Sequence, residues 1–169
     1  VQHRGGKSVA RTKFHVQRVG FLDGGRVLFQ RRGHGQETGV FLRRVQPGQF
    51  ARLTLHPDEG SHPFTILHYD AATRVARFAI KALGDYTRRL PGLLQPGDAA
   101  VVEGPYGCFT SSGKDQPELW IAGGIGIAPF IAWLEALAEQ GQTRERARLY
   151  YCIRYAENAI FSERVAELC

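Results

Sequence analysis

The feature that most constrains the fold of this chain is a change of period near residue 110. Up to that point, short runs of β-forming residues (14–21, 26–31, 40–44, 50–55, 64–69, 74–81 and 99–103) alternate with turn chemistry. The separators are Asp23-Gly24-Gly25, Pro47-Gly48, Pro57-Asp58-Glu59-Gly60 and Pro96-Gly97-Asp98. In such turns glycine supplies positive φ and proline presets a negative one. Six or seven strands at this spacing predict a closed antiparallel barrel or sandwich, interrupted by one short helix over 86–94. Beyond Glu118 the pattern becomes helical. An apolar strand over 119–122 leads into three glycines, after which Ile127, Phe130, Ile131, Leu134, Leu137 and Ala138 fall on one helical face that Gly141 can end. A second strand over 149–153 and a helix over 161–168 complete a βαβα opening of a parallel sheet. The expected architecture is an antiparallel β-barrel of six or seven strands plus a short helix, followed by a partial α/β parallel-sheet nucleotide-binding domain. The expected division is a basic arm over 1–12, the barrel over 13–112 and a truncated α/β domain over 113–169.

Charge and cysteine usage narrow the function classes. The formal net charge is +6, and Arg4, Lys7, Arg11, Lys13 and Arg18 precede the first acidic residue, Asp23. Such a segment suits the neighbourhood of an anionic membrane surface, for instance just after a membrane helix on the cytoplasmic side, and equally a solvated terminus. No helix-turn-helix, zinc-finger or RNP pattern accompanies the charge, so no nucleic-acid partner is expected. Arg4-Gly5-Gly6-Lys7-Ser8 resembles the end of a phosphate-binding P-loop but lacks the preceding glycine and strand. The cysteines Cys108, Cys152 and Cys169 are odd in number and widely spaced, which suits a reducing, cytoplasmic setting rather than a disulfide framework or metal site. Cys152, inside an apolar strand, is expected to be buried. Histidines 56, 62 and 68 recur every six residues but read as strand and turn borders, and no metal is expected.

The stretch IAGGIGIAPF, residues 121–130, allows two readings on its own. Gly123, Gly124 and Gly126, with Ile127 and Pro129 opening a helix, can let a backbone approach a phosphate at a helix N-terminus. They can equally form a tight turn packing helix on strand. The stretch lacks the third glycine and the downstream acid of the usual dinucleotide fingerprint.

Its company matters more. HPFTI (62–66), IKALGDYTRRL (80–90), VEGPYGCF (102–109) and IAGGIGIAPF occur in this order, and together they resemble the ferredoxin–NADP reductase superfamily, in particular the flavin domains of ferric reductases and NADPH oxidases. The resemblance runs over residues 14–168. It implies a barrel that binds FAD and an adjoining domain that binds NADPH or NADH. Carried over by position, Phe64 beside Pro63 would stack on the isoalloxazine. Thr65 would sit at the reacting edge near N5, and His62 would approach the pyrophosphate or ribityl chain. Relatives often carry arginine and tyrosine at the positions of His62 and Phe64, so a permanent cation is replaced here by a titratable one. Ile80 and Lys81 would meet the FMN portion through backbone and charge. Gly84, Tyr86 and Thr87 belong to the segment whose backbone binds the flavin pyrophosphate at a helix start. Gly104 to Gly107 would form the connection between the two domains. Gly123, Gly124, Gly126 and Ile127 would cradle the nicotinamide nucleotide, although Ala128 stands where relatives often have a hydroxyl. Arg154 would face a 2′-phosphate or else remain a surface arginine.

The implied activity is NAD(P)H oxidation through flavin to a one-electron acceptor, membrane haem or ferric iron, with a membrane haem domain of the same protein as partner and a position on its cytosolic face. A soluble ferredoxin or flavodoxin reductase, or the reductase component of an oxygenase, is the alternative within the class. A non-catalytic basic β-barrel that binds an anionic membrane or nucleic acid is the alternative outside it.

Overall fold

The structure, a computed structural model, describes residues 10–22 and 26–33 as backbone strands and residues 45–56, 58–73, 75–111 and 116–169 in more detail. Six strands close a barrel in the order β1-β2-β5-β4-β3-β6. They are β1 (Ala10–Leu22), β2 (Arg26–Gly33), β3 (Phe50–Thr54), β4 (His62–Asp70), β5 (Val75–Lys81) and β6 (Ala99–Tyr106). All pairings are antiparallel, so the barrel expectation holds; the seventh candidate, 40–44, lies outside the described residues. Closure follows from alternation. Ala51 and Leu53 on β3, Ile66 on β4, Ala76, Phe78 and Ile80 on β5 and Ala100 and Val102 on β6 turn into one core, each 4% exposed or less. Helix α1 (Asp85–Leu93) plugs this core with Tyr86 and Leu90.

The second unit is a parallel pair, β7 (Glu118–Gly123) and β8 (Ala147–Cys152), with a 3-10 turn at Gly124–Ile127 leading into α2 (Ala128–Glu139) and with α3 (Ser162–Leu168) beyond β8. Helix α2 ends in the manner its sequence suggests. Gly141 takes φ +64, its N–H reaches the Ala138 carbonyl, and the Gln142 N–H reaches that of Leu137, a Schellman closure.

Two expectations are corrected here. Ala138 is exposed and Leu137 only half-buried, while Ala128 and Phe130 through Glu135 are buried. The reason is that α2 is pressed between the β7–β8 sheet and β4 of the barrel, so its first two turns have no solvent face. Cys152 is exposed, because β8 buries only Ala147, Leu149 and Tyr151 against the helices. The other face of this sheet, with Leu119, Ile121 and Tyr150, is bare.

Leu67 on β4 and Ala79 on β5 point out of the barrel and join the α/β core, where Trp120, Phe130 and Trp133 stack edge to face. Neighbouring residues on one strand thus serve different units: Ile66 faces the barrel interior and Leu67 the helix.

Candidate functional site

The antiparallel pairing of β4 with β5 brings the start of one strand and the end of the other to the same end of the barrel. His62, Pro63, Phe64 and Thr65 therefore lie near Ile80 and Lys81, and the chain leaves β5 directly into α1. Phe64 and Thr65 are half-buried and Pro63 is exposed. Phe64, paired with Ala51, packs against the barrel core and keeps part of its ring exposed, while Thr65, paired with Phe50, turns to the opposite face of β4. Phe50, paired with Thr65, stacks on Tyr106 with ring centroids 5.6 Å apart, which extends this surface toward the Gly104 to Gly107 connection.

The start of α1 is built by Thr87. Its Oγ1 accepts the N–H groups of Leu83 and Gly84 at 2.9 and 3.0 Å and donates to the Gly84 carbonyl at 3.2 Å. The first bond of the helix ladder runs from the Arg88 N–H to the Gly84 carbonyl, which leaves the N–H groups of Asp85, Tyr86 and Thr87 outside it. These groups and the positive end of the helix suit an anion. A Cβ built on Gly84 meets nothing within 4 Å, so space stands open in front of them. Arg88 and Arg89 are both exposed, and Arg89 gives Nη2 to Glu59 and Nε to the Asp85 carbonyl.

His62 lies flat on Tyr86, with centroids 4.1 Å apart and planes at 19°. The Tyr86 hydroxyl is buried beside the Leu55 backbone without an aligned hydrogen bond, and burial, with Glu59 nearby, pushes its pKa up to about 12. Tyr86→Phe is expected to change stability by less than about 1 kcal/mol, since the lost hydroxyl forms no aligned bond and the ring stack survives. A thermal melt checks this. Tyr86, Ile80 and Ile127 are at most 9% exposed, so what these three can offer a ligand is backbone.

The glycine turn sits at the carboxyl ends of β7 and β8, the edge at which open α/β sheets bind ligands. Gly124 has φ +50, and Cβ atoms built on Gly123 or Gly126 would enter open space. Arg154, exposed, follows β8 at the same edge. The turn lies against β5, and Lys81 Nζ comes within 3.9 Å of the position a Gly124 Cβ would take. The end of β5 and the glycine turn therefore lie side by side, with Lys81 between the barrel and Gly124.

Three features escaped the sequence reading, and all join the two units. Gly48 packs under Phe109 and Trp133, and the Trp133 indole N–H donates to the Pro47 carbonyl at 3.1 Å. Glu135, 7% exposed on α2, is held from both units. Arg164 of α3 donates Nε and Nη2 to its Oε1, each at 3.2 Å. His68 Nδ1 on β4 and Arg77 Nη2 on β5 stand 3.2 and 3.5 Å from Oε2, close in charge and distance without an aligned hydrogen bond. Glu139 also approaches His68, at 3.6 Å, and Glu167 binds Arg164 at 3.0 Å.

Burial alone would raise the Glu135 pKa. His68, Arg77 and Arg164 together outweigh it and hold the carboxyl below the ordinary range. A depressed pKa contributes stability that is fully present above the unfolded value, about 4.3, and is lost as pH falls through the folded value. The contact between α2 and the barrel is therefore expected to loosen in acid. Protection factors of amides 128–139, which allow for the slower intrinsic exchange in acid, should fall once the pH drops below that value, and Glu135→Gln should remove this fall.

A closed antiparallel barrel joined to a parallel βα unit, with a glycine turn facing the barrel edge, is the two-part architecture of flavin- and nicotinamide-dependent reductases. Residues 120–169 match the family model for the oxidoreductase NAD-binding domain. Over 126 residues, 73% of this chain, the sequence is 33% identical to the propane 2-monooxygenase reductase component of Mycolicibacterium goodii, and it spans 36% of that protein. It is 30% identical over 131 residues to human NADPH oxidase 4, covering 64% of this chain and 22% of that one. The flavohem-like FAD/NAD binding domain of nitric oxide dioxygenase from Vibrio cholerae O1 biovar El Tor shares the fold, with a TM-score of 0.76 at 21% identity over 93% of this chain and 68% of that one. The chain thus carries an oxidoreductase NAD-binding domain over residues 120–169 and is similar in sequence and fold to flavin- and nicotinamide-dependent reductases. It spans about a third of the length of the first curated relatives it matches. No helix among the described residues is long and apolar enough to cross a membrane.

Proposed function

We propose that the chain is the electron-transfer part of an NAD(P)H-dependent flavin oxidoreductase, with FAD on the barrel and NADPH or NADH on the α/β unit. The observation that supports this reading most directly is the approach of Lys81 to Gly124, which brings the end of the barrel and the glycine turn together. A flavin accepts electrons as a pair and can release them singly, which suits a protein between a nicotinamide and a one-electron acceptor. The residues would divide the work as follows. Phe64 offers a ring face for stacking, and Thr65 a hydroxyl that can hydrogen-bond the reacting edge. The N–H groups of Asp85, Tyr86 and Thr87 hold the flavin pyrophosphate, with Ile80 contributing backbone. Lys81 supplies positive charge where two phosphorylated cofactors would crowd each other. His62, steadied by Tyr86, approaches the ribityl side. Gly123, Gly124, Gly126 and the Ile127 backbone admit the nicotinamide nucleotide, and Arg154 meets a 2′-phosphate. Thr65, the residue at the reacting edge, moves no proton in this reading; its role is orientation.

The acceptor is a one-electron centre. Similarity to a monooxygenase reductase component favours an oxygenase partner. The acid-free basic start, together with similarity to an NADPH oxidase, favours a membrane haem or ferric iron reached from the cytosolic side. The test is an FAD titration followed by anaerobic NADPH. Flavin absorbance that shifts on binding and bleaches with NADPH is the expected result. A chain that takes up no FAD yet binds anionic vesicles or RNA, steeply dependent on salt, would instead establish the non-catalytic basic barrel.

A further inference from the structure

The buried charge on α2 is chemically costly. A carboxylate taken out of water is repaid only by well-placed partners, and well-packed apolar groups often serve stability as well or better. Around Glu135 the interface is largely apolar, with Leu67 and Ala79 of the barrel in one cluster with Ala128, Ile131 and Leu134, and another directional tie is the Trp133 indole bond to the Pro47 carbonyl. Apolar contact has no direction, and one hydrogen bond leaves a helix free to pivot about it. The polar partners of Glu135 do have direction. Arg164 grips one oxygen from α3, while His68 and Arg77 approach the other from two barrel strands.

We propose that Glu135 is a positioning residue: with His68, Arg77 and Arg164 it fixes the tilt of α2 on the barrel, and so places the glycine turn beside Lys81 at the end of β5. The consequence for hydride delivery rests on the functional reading above; the mechanical claim does not. Geometry gives its size. Glu135 lies seven residues beyond Ala128, where the helix leaves the turn. At the usual rise this is a lever of about 10 Å, so a tilt of about 5° at Glu135 moves the turn by about 1 Å. A displacement of that order at reacting groups can cost about 100-fold in rate.

Arg77 is the place to test it. Its side chain is a third exposed and lies outside both proposed cofactor surfaces, so its loss should leave the barrel folded. Arg77→Gln in the full chain is expected to leave the FAD dissociation constant within about twofold, while amide exchange across 128–139 rises about tenfold. NADPH-driven flavin reduction should slow by about 10- to 100-fold. Arg77→Lys should retain part of both, since it keeps the charge on a somewhat shorter side chain. Glu135→Gln should act alike, and the double variant should be no worse than the stronger single one, because both remove one interaction.

The inference is overturned if both single variants leave exchange in α2 at the parent level, or if FAD affinity falls as steeply as the reduction rate. A parent chain that binds no FAD would remove the functional reading, and the exchange measurements would still decide the joint.

Discussion

Gly48→Ala is expected to lower stability by about 3–4 kcal/mol, combining the strain of a left-handed residue with overpacking. Gly48 holds φ +90, and an added Cβ would stand 1.9 Å from the Phe109 carbonyl oxygen and 2.5 Å from Trp133 Nε1. Trp133 has little room to yield. Phe109 stacks on Trp133 with centroids 4.9 Å apart, and Trp133 is tied to the Pro47 carbonyl and wedged against Phe130 and Trp120. The turn before β3, the connection after β6 and helix α2 all meet at this glycine. A fall in melting temperature of about 10 °C should follow for a chain of this size. Gly60→Ala is the matched control: a Cβ there meets nothing within 4 Å, and the change should stay within about 0.5 kcal/mol. Equal melts for the two variants would show that the three segments are not clamped at Gly48.

Gly84→Glu is expected to have the opposite profile, with little loss of stability and a large loss of flavin affinity. Gly84 has φ −118, which any residue adopts, and its Cβ position is open. Thr87 caps the helix through the backbone of residues 83 and 84, so the cap survives the substitution and the cost should remain below about 1 kcal/mol. The new carboxylate would stand before the N–H groups proposed to hold a pyrophosphate. Like charges so placed cost several kcal/mol, and FAD affinity should fall by about 100-fold or more. Gly84→Gln separates charge from bulk and should lose far less. Gly126→Glu, also in open space, should spare FAD and weaken NADPH instead. FAD titrations of the three variants decide the matter; equal affinity for Gly84→Glu and the parent would move the pyrophosphate away from α1.

Local chemistry made much of this legible in the sequence. Turn residues and alternation marked the barrel strands because each core position, such as Leu53, Ile66 or Phe78, recurs with period two. The glycine turn was visible because Gly124 and its neighbours stand between an apolar strand and a Pro-opened helix. What stayed hidden depends on packing between distant segments. Residues 48, 109 and 133 meet only after both units have formed. Glu135 did leave a trace, a charge inside the apolar run of α2 four residues after Ile131, but its partners at 68, 77 and 164 share no sequence pattern. Helix α2 read as one-sided for the same reason: nothing local tells a helix that a barrel will cover its back.

The divided loyalty of β4 has a thermodynamic consequence. Ile66 and Leu67 are adjacent, so neither core can melt without dragging a residue of the other into water. Heat should therefore take the whole chain apart in one calorimetric peak with matching van't Hoff and measured enthalpies. A ligand bound to the barrel alone should delay the loss of helical signal from α2 by as much as it delays the loss of the sheet.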